Sequence, residues 1–141
     1  MRLQYTNKKT EKKIFDNIPD IALVQVNTID SPNLLIHANN LIALKQLITS
    51  FNLVGKIDLV YIDPPFATNN TFTISEGRAN TISNSADGTV AYTDTLRGAD
   101  FIEFLRERLM LLKMLLSDKG SIYLHIDYKI GHYVKVLMDE I

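Results

Sequence analysis

The chain has 141 residues, 46% hydrophobic and 22% charged, a balance that suits one globular domain with a sizeable core. Its net charge of -1 does not announce a nucleic-acid binder, and the absence of cysteine removes disulfides and thiolate zinc sites while fitting a reducing compartment. No run approaches the roughly 18 apolar residues of a membrane span, and the amino terminus lacks the order of a signal peptide, so the expectation is a cytoplasmic protein with no membrane partner.

Near the amino terminus Arg2, Lys8, Lys9, Lys12 and Lys13 stand against Glu11. Residues 1–32 are read as an N-terminal extension, the first fifteen residues solvated and frayed in preference to a phosphate-binding arm. "NLLIH", Asn33 to His37, follows the breaker pair Ser31-Pro32 and reads as a buried strand. In "NNLIALKQLITSF" Leu41, Leu44, Leu47 and Ile48 share one helical face behind Asn39 or Asn40 as N-cap. After Gly55, "IDLVYI" is almost continuously apolar, the pattern of a strand buried on both faces of a parallel sheet. Between Phe66 and Arg97 the composition turns to Thr, Asn, Ser and Gly with almost no apolar period, which predicts a long structureless connection, functional or disordered.

"DFIEFLRERLMLLKMLL" restores helical spacing through Phe101, Leu105, Leu109, Leu112 and Leu116, with Asp100 as cap and Gly120 as stop. Glu103, Arg106, Glu107 and Arg108 are assigned to its solvated face. "SIYLHI" predicts another strand, and Ile130, Val134, Leu137 and Ile141 mark a last helix. His125 and Asp127 are given a buried-strand and a loop-capping role, and His37 and His132 lack partners at ligand spacing, so no metal site is expected. The alternation of strands and helices is that of an α/β fold with a largely parallel sheet. There is no GxGxxG or GxxxxGK[ST] fingerprint.

The chemistry concentrates in "DLVYIDPPFATNN", Asp58 to Asn70. Ligands of open α/β sheets bind beyond the carboxyl ends of the strands, and Asp63 stands just past one. Pro64 and Pro65 set φ near −65° and remove two backbone donors, which leaves stiff, available carbonyls. Phe66 adds a ring face for stacking on a flat partner. Carboxylate, carbonyl and ring together make a receptor for a planar group bearing an amino substituent, such as adenine or cytosine drawn out of a duplex.

"YIDPPFATNN" resembles the catalytic [DNS]PP[YFW] block of the amino-group DNA methyltransferases. "NLLIHANNLIALKQL" and "FLRERLMLLKMLLSDKGSIYLHIDYKIGHYVKVLMDEI" are similar to blocks of the permuted β class, above all the modification subunits of type III restriction systems. The similarity covers about Asn33 to Ile141. It implies a Rossmann-like methyltransferase fold, S-adenosylmethionine as cofactor, double-stranded DNA as substrate, and a restriction subunit or a second copy as protein partner. It also implies that Asp63 and the Pro64 carbonyl hold the base amine, Pro65 shapes the loop, and Phe66 stacks on the flipped base. Asp63 would also approach the cofactor's methionine end. Ala38 stands where relatives often carry Gly. Asn39 stands where many carry an acid near the cofactor adenine, and Asn69 fits the polar residue that follows the catalytic loop. Tyr92, Asp94 and Arg97 are weaker candidates for DNA contact. Asp at the head of the block tilts the target toward adenine N6; cytosine N4, or an RNA or protein amide sharing the loop, is the alternative.

In the β class the target-recognition region and the Gly-rich cofactor loop follow the catalytic block, and neither is found in this sequence. In the family's strand order, 3-2-1-4-5-7-6, the strands at Asn33, Ile57 and Ser121 correspond to 3, 4 and 5. Residues 33–141 are therefore expected to be a partial catalytic domain, an amino-terminal fragment inactive alone. The contrasting expectation is a non-catalytic remnant that binds DNA or a partner chain.

Overall fold

The computed structural model describes residues 2–26, 33–64, 71–74, 82–83, 89–93 and 98–141. Its elements are α1 (Glu11–Asp16), α2 (Asn40–Thr49), β1 (Ile57–Ile62), β2 (Thr71–Ile74), β3 (Ile82–Ser83), β4 (Thr89–Thr93), α3 (Gly98–Leu115), β5 (Leu116–Leu124) and α4 (Tyr128–Glu140). β1 and β5 pair in parallel, the relationship expected of the fourth and fifth strands, and helices pack on this sheet, so the architecture is α/β.

α3 is the beam of the molecule because its apolar residues serve two sides. Phe101, Ile102, Leu105 and Leu109 join Val134 and Leu137 of α4 in one core, against which Ile62, Ile122, Leu124 and Ile126 pack. Leu111 and Leu115, further along α3, enter a second core with Ile14, Ile18 and Ile48, flanked by Leu41, Leu44 and Leu47 of α2. Each fully buried large side chain contributes about 1.5–3 kcal/mol of transfer free energy. These two clusters therefore supply most of what orients β1 and β5.

Helix ends follow the local chemistry. The Asn39 side chain accepts from the Leu41 amide at 3.0 Å, and Asp127 accepts from the Lys129 amide at 2.8 Å, so both are N-caps as expected. α3 begins at Gly98, with Asp100 in its first turn rather than at the cap. At the other end α3 gives way to β5 at Leu116, ahead of Gly120. Gly120 instead lies where the register slips between Ile57↔Leu116 and Leu59↔Ser121.

Four expectations are corrected. Residues 33–37 form no strand, and Leu34 and Leu35 are exposed, because a strand exists only with a hydrogen-bonded neighbour and β1 pairs with β5 alone among the described residues. β1 is buried on one face only: Val60 and Ile62 turn toward the helices, while Leu59 and Tyr61 are exposed, with Tyr123 of β5 beside Tyr61. The 66–97 stretch is not all loop, since β2, β3 and β4 make an antiparallel sheet of order β3-β2-β4, with a register shift between Phe72 and Thr73. The β-branched and aromatic residues of "TFTI" and "TVAYT" are the local signal for it.

The fourth correction concerns charge. Glu103 and Arg106 are buried, not solvated. Glu103 accepts from the Lys9 amide at 3.1 Å and from the Tyr5 hydroxyl, and Arg106 donates to the Lys9 carbonyl at 3.0 Å. Burial and then the hydrogen bond to Glu103 push the Tyr5 phenol above its ordinary range. Lys9 pairs with Glu107, and Lys8 with Glu140. The amino terminus, expected to be solvated and frayed, is instead strapped to α3 and α4 through Lys8 and Lys9, and its Ile14 and Ile18 are buried. Arg108 also leaves the solvated set: it donates to Asn40 Oδ1 at 2.9 Å and to the Phe104 carbonyl at 2.7 Å, and its guanidinium lies 3.5 Å over the Phe104 ring. Desolvation lowers it to about 10.

Candidate active site at the strand ends

Parallel pairing in a constant register puts equal steps along two strands side by side. Tyr61 stands beside Tyr123 and Ile62 beside Leu124, so the next residues, Asp63 and His125, are also neighbours. The His125 amide continues the ladder by donating to the Ile62 carbonyl at 3.0 Å. Side chains alternate along strands, which assigns Asp63 and His125 to the face of Tyr61 and Tyr123. His125 Nδ1 lies 3.1 Å from Asp63 Oδ1, and both side chains are 59% exposed.

Asp63 therefore presents a solvent-facing carboxylate at the carboxyl end of β1, with Pro64 half-buried behind it. Pro65, Phe66 and Asn69 lie outside the described residues, as do Asp94 and Arg97. Asn39 is exposed at the start of α2, its Oδ1 engaged in the cap, and no hydrogen bond joins it to Asp63 among the described residues. No cluster of three metal-ligating side chains occurs among the described residues, and none of their helices is long and apolar enough to cross a membrane.

Two hollows, of about 620 and 250 Å³, lie elsewhere. The larger is rimmed by Arg2, Lys12, Lys113 and Met114, the smaller by Asn17, Ile18, Asn39 and Leu41. Neither includes Asp63 or Pro64. Among the described residues, the open carboxylate of Asp63 and the half-buried Pro64 stand at the rim of the sheet, away from both hollows.

His125 is the residue that reading the sequence missed as a site residue. It was placed in a buried strand, yet it is exposed and touches Asp63. The available signal was positional: Asp63 follows "LVYI" and His125 follows "SIYL", each one residue past its strand.

A family model described as DNA methylase, of the N6/N4 type, matches residues 57–141. The chain belongs to this amino-group DNA methyltransferase family. The type II methyltransferase M.EcaI of Enterobacter cloacae is 36% identical over 110 residues, which cover 78% of this chain and 21% of that protein. A probable type III restriction-modification enzyme HindVI Mod subunit of Haemophilus influenzae is 38% identical over 109 residues, covering 77% of this chain and 12% of its own length. The StyLTI Mod subunit of Salmonella typhimurium is 29% identical over 153 residues, covering 97% and 23%. The chain thus spans 12% to 23% of the length of these curated relatives. No solved structure matches.

Proposed function

We propose that the chain carries the amine-binding part of a DNA methyltransferase that modifies the exocyclic N6 of adenine in duplex DNA, on a Rossmann-like fold. The observation that carries this reading is the solvent-facing Asp63 carboxylate at the carboxyl end of β1, followed by Pro64-Pro65, inside the segment matched by the methylase family. One oxygen of Asp63 and the Pro64 carbonyl accept the two amino hydrogens, which draws the nitrogen toward tetrahedral geometry and frees its lone pair. Extruding the base costs a few kcal/mol. Stacking on an aromatic such as Phe66 returns about 1–3 kcal/mol. Orientation of the held amine then lowers the barrier further. Asn69 contacts the DNA beside the extruded base.

S-adenosylmethionine, when bound, supplies an electrophilic methyl group. The residues present fit part of it: the open carboxylate of Asp63 suits a cationic α-amino group, and the exposed Asn39 amide, whose oxygen is used by the cap, keeps an NH2 donor for an adenine ring. The name of the HindVI relative, a Mod subunit of a type III restriction-modification enzyme, supports restriction-modification as the setting; a restriction subunit or a second copy is the partner that this reading calls for.

Because the chain spans a small share of its relatives, the test is made on the full reading frame that encodes it. Radiolabelled methyl donor is incubated with duplex DNA, and the nucleosides of the product are separated. Label in N6-methyladenine is the expected result. Label in N4-methylcytosine would move the target to cytosine, and an unlabelled product would leave a binding remnant.

A further inference from the structure

We propose that His125 is a positioning residue for Asp63, holding one carboxylate oxygen so that the other is presented to the amine. This rests on the reading of Asp63 as amine acceptor. The contact is built by the backbone, because the parallel register of β1 and β5 and the His125 amide bond to Ile62 set the two residues side by side before any side-chain choice is made. An ionised carboxylate only accepts hydrogen bonds, so the 3.1 Å contact at Oδ1 requires the proton on His125 Nδ1. With both groups 59% exposed, such a pair adds little to stability. Its consequence is geometric. A carboxylate in open solvent turns about two side-chain torsions, and a misplacement of about 1 Å at a reacting group can cost on the order of 100-fold in rate. The two prolines stiffen the backbone beyond Asp63 but do nothing for its side chain. His125 does that.

The first test reads the tautomer. In long-range 1H–15N spectra of the 141-residue chain, the neutral form of His125 is expected as the Nδ1–H tautomer. In Asp63→Ala the share of that form is expected to fall. An Nε2–H signal in the parent chain, or no change on substitution, overturns the proposal. The second test is kinetic, on the full reading frame. His125→Ala is expected to lower kcat on the order of 10- to 100-fold, with KM for DNA and for the methyl donor within about twofold. His125→Asn, whose amide can donate from nearly the same place, is expected to restore much of it. Unchanged kcat in His125→Ala, with activity abolished in Asp63→Ala, sinks the positioning role and leaves the function standing. Activity retained in Asp63→Ala sinks both.

Discussion

A Cβ on Gly120 would stand 2.8 Å from the carbonyl oxygen of Ile57 and 2.8 Å from Leu116 Cδ2. The constraint is one of space, at the slip in register where β5 leaves α3 and settles against β1. Gly120→Ala must push the β1 backbone or repack Leu116, and overpacking of this sort costs about 1–3 kcal/mol. A lower midpoint in urea with an unchanged slope is the expected outcome.

Glu103 holds three donors at once: the Tyr5 hydroxyl, the Lys9 amide and the Arg106 guanidinium. Glu103→Ala leaves Arg106 buried without its carboxylate, a loss of about 3–5 kcal/mol where a buried pair is broken. Amide exchange at Lys9 and its neighbours should quicken more than at Leu105 or Leu109. Equal acceleration throughout would show that the strap is not a separate unit.

Glu140 ties the first residues to α4 by accepting from Lys8 and from the Leu3 amide. The hydrogen bond from Lys8 holds its carboxyl below the ordinary carboxylate range, burial opposes that, and the Leu3 amide reinforces it. A lowered folded-state value means the contribution is complete above the ordinary carboxylate range and is lost as pH falls through the lowered value. Melting temperatures of the parent and of Glu140→Gln should differ at neutral pH and converge in acid.

Asp63→Ala removes an exposed pair, worth about 0–1 kcal/mol to the fold, so the melting curve should hardly move. Methyl transfer by the full reading frame should be lost while DNA affinity stays largely intact. A large drop in stability would instead mark Asp63 as a structural acid.

Much of the fold is legible where a local rule suffices. The period of α3, the caps at Asn39 and Asp127, and the apolar run of β1 all express preferences within a turn or a strand. The misreadings arise where a distant segment decides. "NLLIH" has a strand's composition without a strand's neighbour, and the acids and bases of α3 look solvated until the amino terminus is laid over Glu103 and Arg106. At β2 and β4, Thr-rich strands lack the apolar alternation that marks a strand packed on a core.

By itself the amino-acid order determined α2, α3 and α4, the strand before Asp63, and the run of acid, prolines and ring after it, because each depends on residues adjacent in the chain; α1 fell inside the stretch read as an extension. Only the tertiary structure decided that β5 runs beside β1 in a register that sets His125 against Asp63. That register is set by the whole of the packing around α3 and by the slip at Gly120, and no short stretch contains it.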